Sequence, residues 1–146
     1  MPGTRKDTLM SIMSDDARRD LLATLDFFSG CTARQLRDIG HLTEERVVPA
    51  GAELCRQGDF ESEVFVIVEG EADVTIDGAP VGTTHVGQIV GELAMLGSGR
   101  RQATIRAVVP LRVIVLDPRE VDSVLAADPS SAHRLSRHGE QANVEP

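Results

Sequence analysis

Gly91-Glu92 and Arg100-Arg101 bracket a short apolar run in GELAMLGSGRRQATIRA, residues 91–107. A glycine lets the backbone approach a ligand or take a conformation that other residues avoid. Glu92-Leu93-Ala94-Met95-Leu96 suits a short helical turn. The first N–H groups of such a turn lack intrahelical partners and attract an anion. Arg101, arriving after the Gly97-Ser98-Gly99 loop, can grip that anion through a bidentate charge-assisted pair. The Glu92 carboxylate beside an anion needs a neutral donor, and a sugar hydroxyl is one. Phosphate donors plus one carboxylate describe a nucleotide pocket; they place no nucleophile, general base or metal there. The same spacing also suits a plain surface ion pair between Glu92 and Arg101, with glycines that only make turns.

Any such anion site is a local concentration of positive charge, because the net charge of the chain is −8. A protein built chiefly to hold nucleic acid carries a basic face, which this composition argues against. The 146 residues suit one domain with a real core, and 41% hydrophobic with 26% charged residues is ordinary globular composition. Aromatics are only 3%, so Val, Leu and Ile must build the core, and stacking on a ligand is left to Phe27, Phe28, Phe60 or Phe65. Cys31 and Cys55 have no CxxC spacing and read as reduced, buried thiols. The four histidines are scattered, with His41 and His85 expected at strand or loop edges, so neither a metal site nor a catalytic constellation is expected. No apolar run approaches a membrane span, and the N-terminus lacks a continuous apolar segment, so a cytoplasmic location and no membrane partner are expected.

The elements that must position these residues change texture twice along the chain. Residues 1–13 read as a loose N-terminal segment. Ser14 caps a helix beginning DDARRDLLATL, and Thr32-Ala33-Arg34-Gln35 is a capping box opening a helix to about Ile39. From Arg46, Val and Ile come in about eight short runs edged by Gly51, Gly58, Gly70, Gly78, Gly82 and Gly87. Short strands with regular turn signals argue for an antiparallel roll or barrel. At Asp117 the helical texture returns. Asp117-Pro118 starts a helix to about Ala127, and Asp128-Pro129 starts a second to about His138, with Gly139 ending it. Residues 140–146 read as a frayed tail.

PAGAELCRQGD, then VFVIVEGEADV, then GQIVGELAMLGSGRRQATIRA closely resemble the cyclic nucleotide-binding domain, over roughly residues 25–128. The order of parts carries the resemblance: a Gly-x6-Gly-Asp turn at Gly51 to Asp59, a hairpin at Gly70, and a phosphate-binding cassette from Gly91 to Thr104. It implies a mainly β, α+β fold: an eight-stranded antiparallel β-roll of jelly-roll type with flanking N- and C-terminal helices and a short phosphate-binding helix, one domain over 14–139. It implies that Glu92 takes the ribose 2′-hydroxyl, Arg101 the cyclic phosphate, and Gly91, Leu93 and Ala94 the backbone part of the cassette. Gln102 and Ala103 follow the arginine, where the family usually has Ala, Ser or Thr first. Gln102 hints at neither cAMP nor cGMP. Val90 replaces a customary Phe, and Arg100 a frequent Pro. The implied lid is an apolar residue of the C-terminal helices, with Leu135 first and Val121 and Leu125 behind it.

The expected ligand is cAMP or cGMP, with cAMP favoured and no cofactor, and the activity is binding rather than catalysis. Only 18 residues follow Asp128, too few for a dimer helix and a helix-turn-helix. The expectation is therefore a sensor acting through a protein partner rather than on DNA. The alternatives are a degenerate roll that serves as an interaction module, and the sensory part of a regulator whose effector is another chain. Arg101 is expected to be exposed, so that its loss would leave the fold intact.

Overall fold

Three local capping signals set where the helices begin. The structure, a computed structural model, describes residues 13–61, 63–91, 99–131 and 134. Helix α1, Asp15–Ala23, starts where the Ser14 hydroxyl accepts from the Ala17 N–H, with Asp15 and Asp16 at the positive end of the helix dipole. A 3-10 turn at Asp26–Phe28 buries both phenylalanines, their rings 4.9 Å apart edge to face. Thr32 and Gln35 close the reciprocal capping box of α2, Ala33–His41. Helix α3, Pro118–Ala127, starts at Asp117, whose carboxylate accepts from the Arg119 N–H at 2.8 Å. Helix α2 runs on to His41 instead of stopping near Ile39. His41 is thus a helix end, 3.1 Å from Asp15, and not a strand or loop edge. Where a helix is expected from Pro129, Pro129 and Ser130 instead form a turn, and Ser131 and Arg134 are helical. The remainder of that segment, residues 1–12 and the tail lie outside the described residues.

Between the helices lie eight antiparallel strands: β1 Glu44–Val48, β2 Glu53–Cys55, β3 Val64–Glu69, β4 Ala72–Ile76, β5 Ala79–Thr84, β6 Ile89–Val90, β7 Thr104–Ala107 and β8 Leu111–Leu116. They form two four-stranded sheets, ordered β1-β8-β3-β6 and β2-β7-β4-β5. This is the β-roll with flanking helices that the sequence implies.

The first sheet is apolar on both faces because both are covered. Phe65 and Ile67 of β3, with Val113 and Val115 of β8, point into the core between the sheets. Val64 and Val66, with Ile114 and Leu116, point the other way, onto Leu22, Phe27 and Phe28 of the helical layer. A continuous run such as VFVIV is what a strand buried on both faces requires. The layers are also tied by charge. Glu45 of β1 accepts from Arg18 of α1 at 3.2 Å and from Arg112 of β8 at 3.0 Å. Gly70 turns β3 into β4 at φ +93°, where an added Cβ would lie 2.5 Å from the Pro110 carbonyl oxygen. That closeness keeps the hairpin packed against the start of β8.

Candidate functional site

The loop between β2 and β3 and the segment leading into β7 meet in a short backbone ladder. The Gly58 N–H donates to the Arg101 carbonyl at 2.9 Å, and the Arg101 N–H to the Asp59 carbonyl at 2.8 Å. The Glu61 N–H donates to the Gly99 carbonyl at 3.1 Å. Phe60 and Arg100 face each other as an isolated antiparallel bridge. Gln57 fastens this loop from behind. Its N–H donates to the Thr104 hydroxyl at 3.0 Å, and its amide makes a reciprocal pair with Asp77 in the β4–β5 turn, at 3.0 and 2.8 Å. Residues far apart in sequence thereby fix the backbone on each side of Arg101.

The Arg101 side chain turns inward from this ladder. The residue is only 3% exposed, which corrects the expectation of an exposed arginine. Its Nε and Nη2 both donate to Glu61 Oε1, at 3.1 and 2.9 Å, and Nη1 donates to the Gly91 carbonyl at 3.1 Å. The guanidinium carbon lies 5.3 Å from the centroid of the buried Phe65 ring, and that of Arg46 lies 5.7 Å from the same ring. A fixed planar fork with five donors, placed on an aromatic ring, suits a multidentate anionic acceptor such as a phosphodiester. A lysine would supply the charge without that geometry.

Gly91 is required as glycine for two reasons. Its φ of +91° lies in the left-handed region, and an added Cβ would collide with Arg101 Nη1 and come within 2.9 Å of the Glu63 carbonyl oxygen. Gly91 and Arg101 are therefore brought together as the sequence pattern implies. Ala103 is buried in the core between the sheets, to which Val90 also belongs. Gln102 is exposed, and its amide donates to the Arg100 carbonyl at 3.3 Å. Arg100 stacks over the exposed Phe60 ring at 3.8 Å and donates to the Gly58 carbonyl at 2.7 Å. Glu92, Leu93, Ala94 and Leu135 lie outside the described residues. Val121 is buried in the helix-side core, and Leu125 packs partly buried against it. Both belong to a different core from Ala103 and Val90.

Sequence reasoning missed Glu61 as a partner of Arg101. The signal available was the acidic run FESE directly after the Gly58-Asp59 turn. It could not have named the pair, because Glu61 and Arg101 are 40 positions apart and meet only through the ladder register.

The thiols differ in setting. Burial pushes the Cys55 thiol up to about 11, against the pull of the nearby Arg101 cation, and its sulfur lies 3.8 Å from the Ala103 carbonyl. Burial and then Asp128 raise the half-buried Cys31. At pH 8 the Cys55 thiol, at about 11, is about one part in a thousand thiolate. Iodoacetamide on the native protein should therefore label Cys31 well before Cys55, with Cys55 reacting only in denaturant. Peptide mass spectrometry reads both sites, and equal native rates would contradict the burial of Cys55.

Among the described residues no helix is long and apolar enough to cross a membrane, and no group of three His, Cys, Asp or Glu is placed to hold a metal.

The family model for the cyclic nucleotide-binding domain matches residues 45–128, which contain the ladder, Gly91 and Arg101. The chain is 28% identical to a cyclic nucleotide-gated potassium channel of Rhizobium etli over 117 residues, 80% of this chain and 33% of the channel. It is 36% identical to a Pycsar effector protein of Xanthomonas perforans over 107 residues, 70% of this chain and 34% of the effector. The chain thus spans about a third of the length of these relatives. In fold it is similar to the regulatory domain of Toxoplasma gondii PKA crystallised with cAMP, at a TM-score of 0.72 and 23% identity, covering 90% of this chain and 54% of that one. A model match over more than half the chain, on the residues that build the arginine ladder, places this chain in the cyclic nucleotide-binding domain family.

Proposed function

We propose that this domain is a cyclic nucleotide sensor that favours cAMP over cGMP and signals to a protein partner by closing its C-terminal helices. The observation that carries the reading is the Arg101 fork, buried and aimed from a fixed backbone beside Gly91. In this reading the guanidinium takes the exocyclic oxygens of the cyclic phosphate, Glu92 accepts from the ribose 2′-hydroxyl, and the N–H groups of Leu93 and Ala94 complete the phosphate cradle. The preference for cAMP draws on the otherwise general character of the cassette and on a similar fold crystallised with cAMP. The exposed Gln102 amide carries both a donor and an acceptor, so its own contribution to base choice is small.

Closure follows from differential contact. A ligand shifts the helices only to the extent that the closed arrangement touches it more. Val121 is fully buried in the helix-side core, so drawing it out as a lid would expose core surface. The lid role therefore falls to the segment after Ala127, with Leu135 as its apolar contact and Leu125 as support. A second reading, an interaction module that does not bind nucleotide, draws on the engagement of Arg101 by Glu61.

Isothermal titration calorimetry with cAMP and cGMP tests both. Saturable one-site heat with tighter cAMP binding is the expected result; no heat and no thermal stabilisation at millimolar nucleotide would leave the interaction module. Glu92→Gln is expected to weaken cAMP by about tenfold and 2′-deoxy-cAMP much less, a loss of one charge-assisted hydrogen bond. Equal losses for the two nucleotides would remove the hydroxyl assignment.

A further inference from the structure

We propose that Glu61 is an internal anion that competes with the ligand phosphate for Arg101 and so sets the affinity of the site. The inference rests on the nucleotide-binding reading above and goes beyond it.

The pair is asymmetric. The Arg101 side chain is 1% exposed, while that of Glu61 is 40% exposed. The arginine is pinned by its own backbone ladder and by the Gly91 carbonyl, and cannot leave. The carboxylate hangs from a backbone that is fixed by the Glu61 N–H on the Gly99 carbonyl, with its side chain free to rotate into water. Of the two partners, the glutamate is the one that can leave. It holds the Nε and Nη2 edge of the guanidinium through a single oxygen, Oε1. That edge is one of the two faces through which arginine makes a bidentate contact with a phosphodiester.

Charge decides the consequence. A cyclic phosphodiester is a monoanion, and so is the Glu61 carboxylate. Ligand binding therefore exchanges one monoanion for another at the same cation, and the Coulombic gain is close to cancelled. A buried cation with no resident anion would gain the whole of it, having no compensating charge of its own. Glu61 thus keeps the arginine compensated between binding events and weakens binding in the same act. Neighbouring Glu63 provides the internal contrast. It stands on the same loop with the same charge, yet pairs with Arg46 at 3.2 Å and leaves Arg101 untouched.

Glu61→Gln keeps the side-chain volume and an acceptor for Nε while removing the charge. The full chain is titrated with cAMP by calorimetry as wild type, Glu61→Gln and Glu63→Gln, with melting curves recorded with and without nucleotide. The expected result is about tenfold tighter cAMP binding in Glu61→Gln, with little change in Glu63→Gln. Without nucleotide Glu61→Gln should melt below wild type, and saturating cAMP should restore it. Weaker or unchanged binding in Glu61→Gln, while wild type binds, overturns the proposal and makes Glu61 a positioning residue. Equal tightening in both variants also overturns it, since loop charge rather than displacement would then be the cause. Binding by none of the three removes the nucleotide reading and this proposal together.

Discussion

Arg101→Ala is expected to lose cAMP binding by a factor between about 30 and several thousand, the range for truncating one side of a desolvated charge pair at a binding site. The same variant should unfold cooperatively with a stability loss of about 1–3 kcal/mol. The second figure follows from what the deletion leaves behind. The Gly91 carbonyl loses a donor, and the guanidinium leaves a void beside Phe65. Removing half of a fully buried ion pair costs more, about 3–5 kcal/mol, because a charge is stranded. Here the stranded partner is Glu61, whose side chain is 40% exposed and turns to water instead. Arg101→Lys keeps the charge without the fork and should recover stability more than affinity. Calorimetry and thermal unfolding on the same preparations check this. A variant that binds like wild type ends the phosphate role, and one that no longer folds makes Arg101 chiefly a structural residue.

Phe65→Ala should destabilise the domain by about 3–5 kcal/mol, the usual loss for a buried phenylalanine truncated to alanine. Domain stabilities of about 5–15 kcal/mol make that a large share of the total. Phe65 is fully buried in the core between the sheets, on a central strand of its sheet. It also carries the Arg46 and Arg101 guanidiniums, each contact worth on the order of 1 kcal/mol. Phe65→Leu preserves most of the volume but no ring face, and should lose about 1–2 kcal/mol with a measurable fall in cAMP affinity. Urea unfolding of the two variants separates volume from ring. A loss under 1 kcal/mol for Phe65→Ala would show that the core refills around the gap.

The parts of this fold that were legible in sequence are those decided within a turn of chain. Ser14, the Thr32–Gln35 box and Asp117-Pro118 start helices because their partners lie two or three residues away. The runs of Val and Ile between glycines mark strands because side chains alternate every residue. The kinship of Gly91 and Arg101 was legible as a spacing. The burial of Arg101 was not, because it depends on the ladder that joins residues 58–61 to residues 99–101. For the same reason Glu61 was passed over, while the Glu92–Arg101 ion pair that spacing alone also allowed lies outside the described residues. Val121 and Leu125 read equally as lid or core from helical spacing, and only the covered face of the first sheet assigns Val121 to the core. His41 shows the lesser error of a boundary: a helix that runs half a turn further puts the ring beside Asp15 instead of at a strand edge.

The first strand of the roll pairs with the last. Glu44 lies opposite Val115 and Val48 opposite Leu111, and Arg112 reaches Glu45 across 67 positions. Such non-local pairing makes the closing of that sheet a late and slow event, on the millisecond-to-second scale typical of all-β topologies. During synthesis the chain cannot complete it until Leu116 has left the ribosome. Until then β1 and β3 have no β8 to lie between them, and the VFVIV strand is an open edge, the kind of surface on which nascent chains associate.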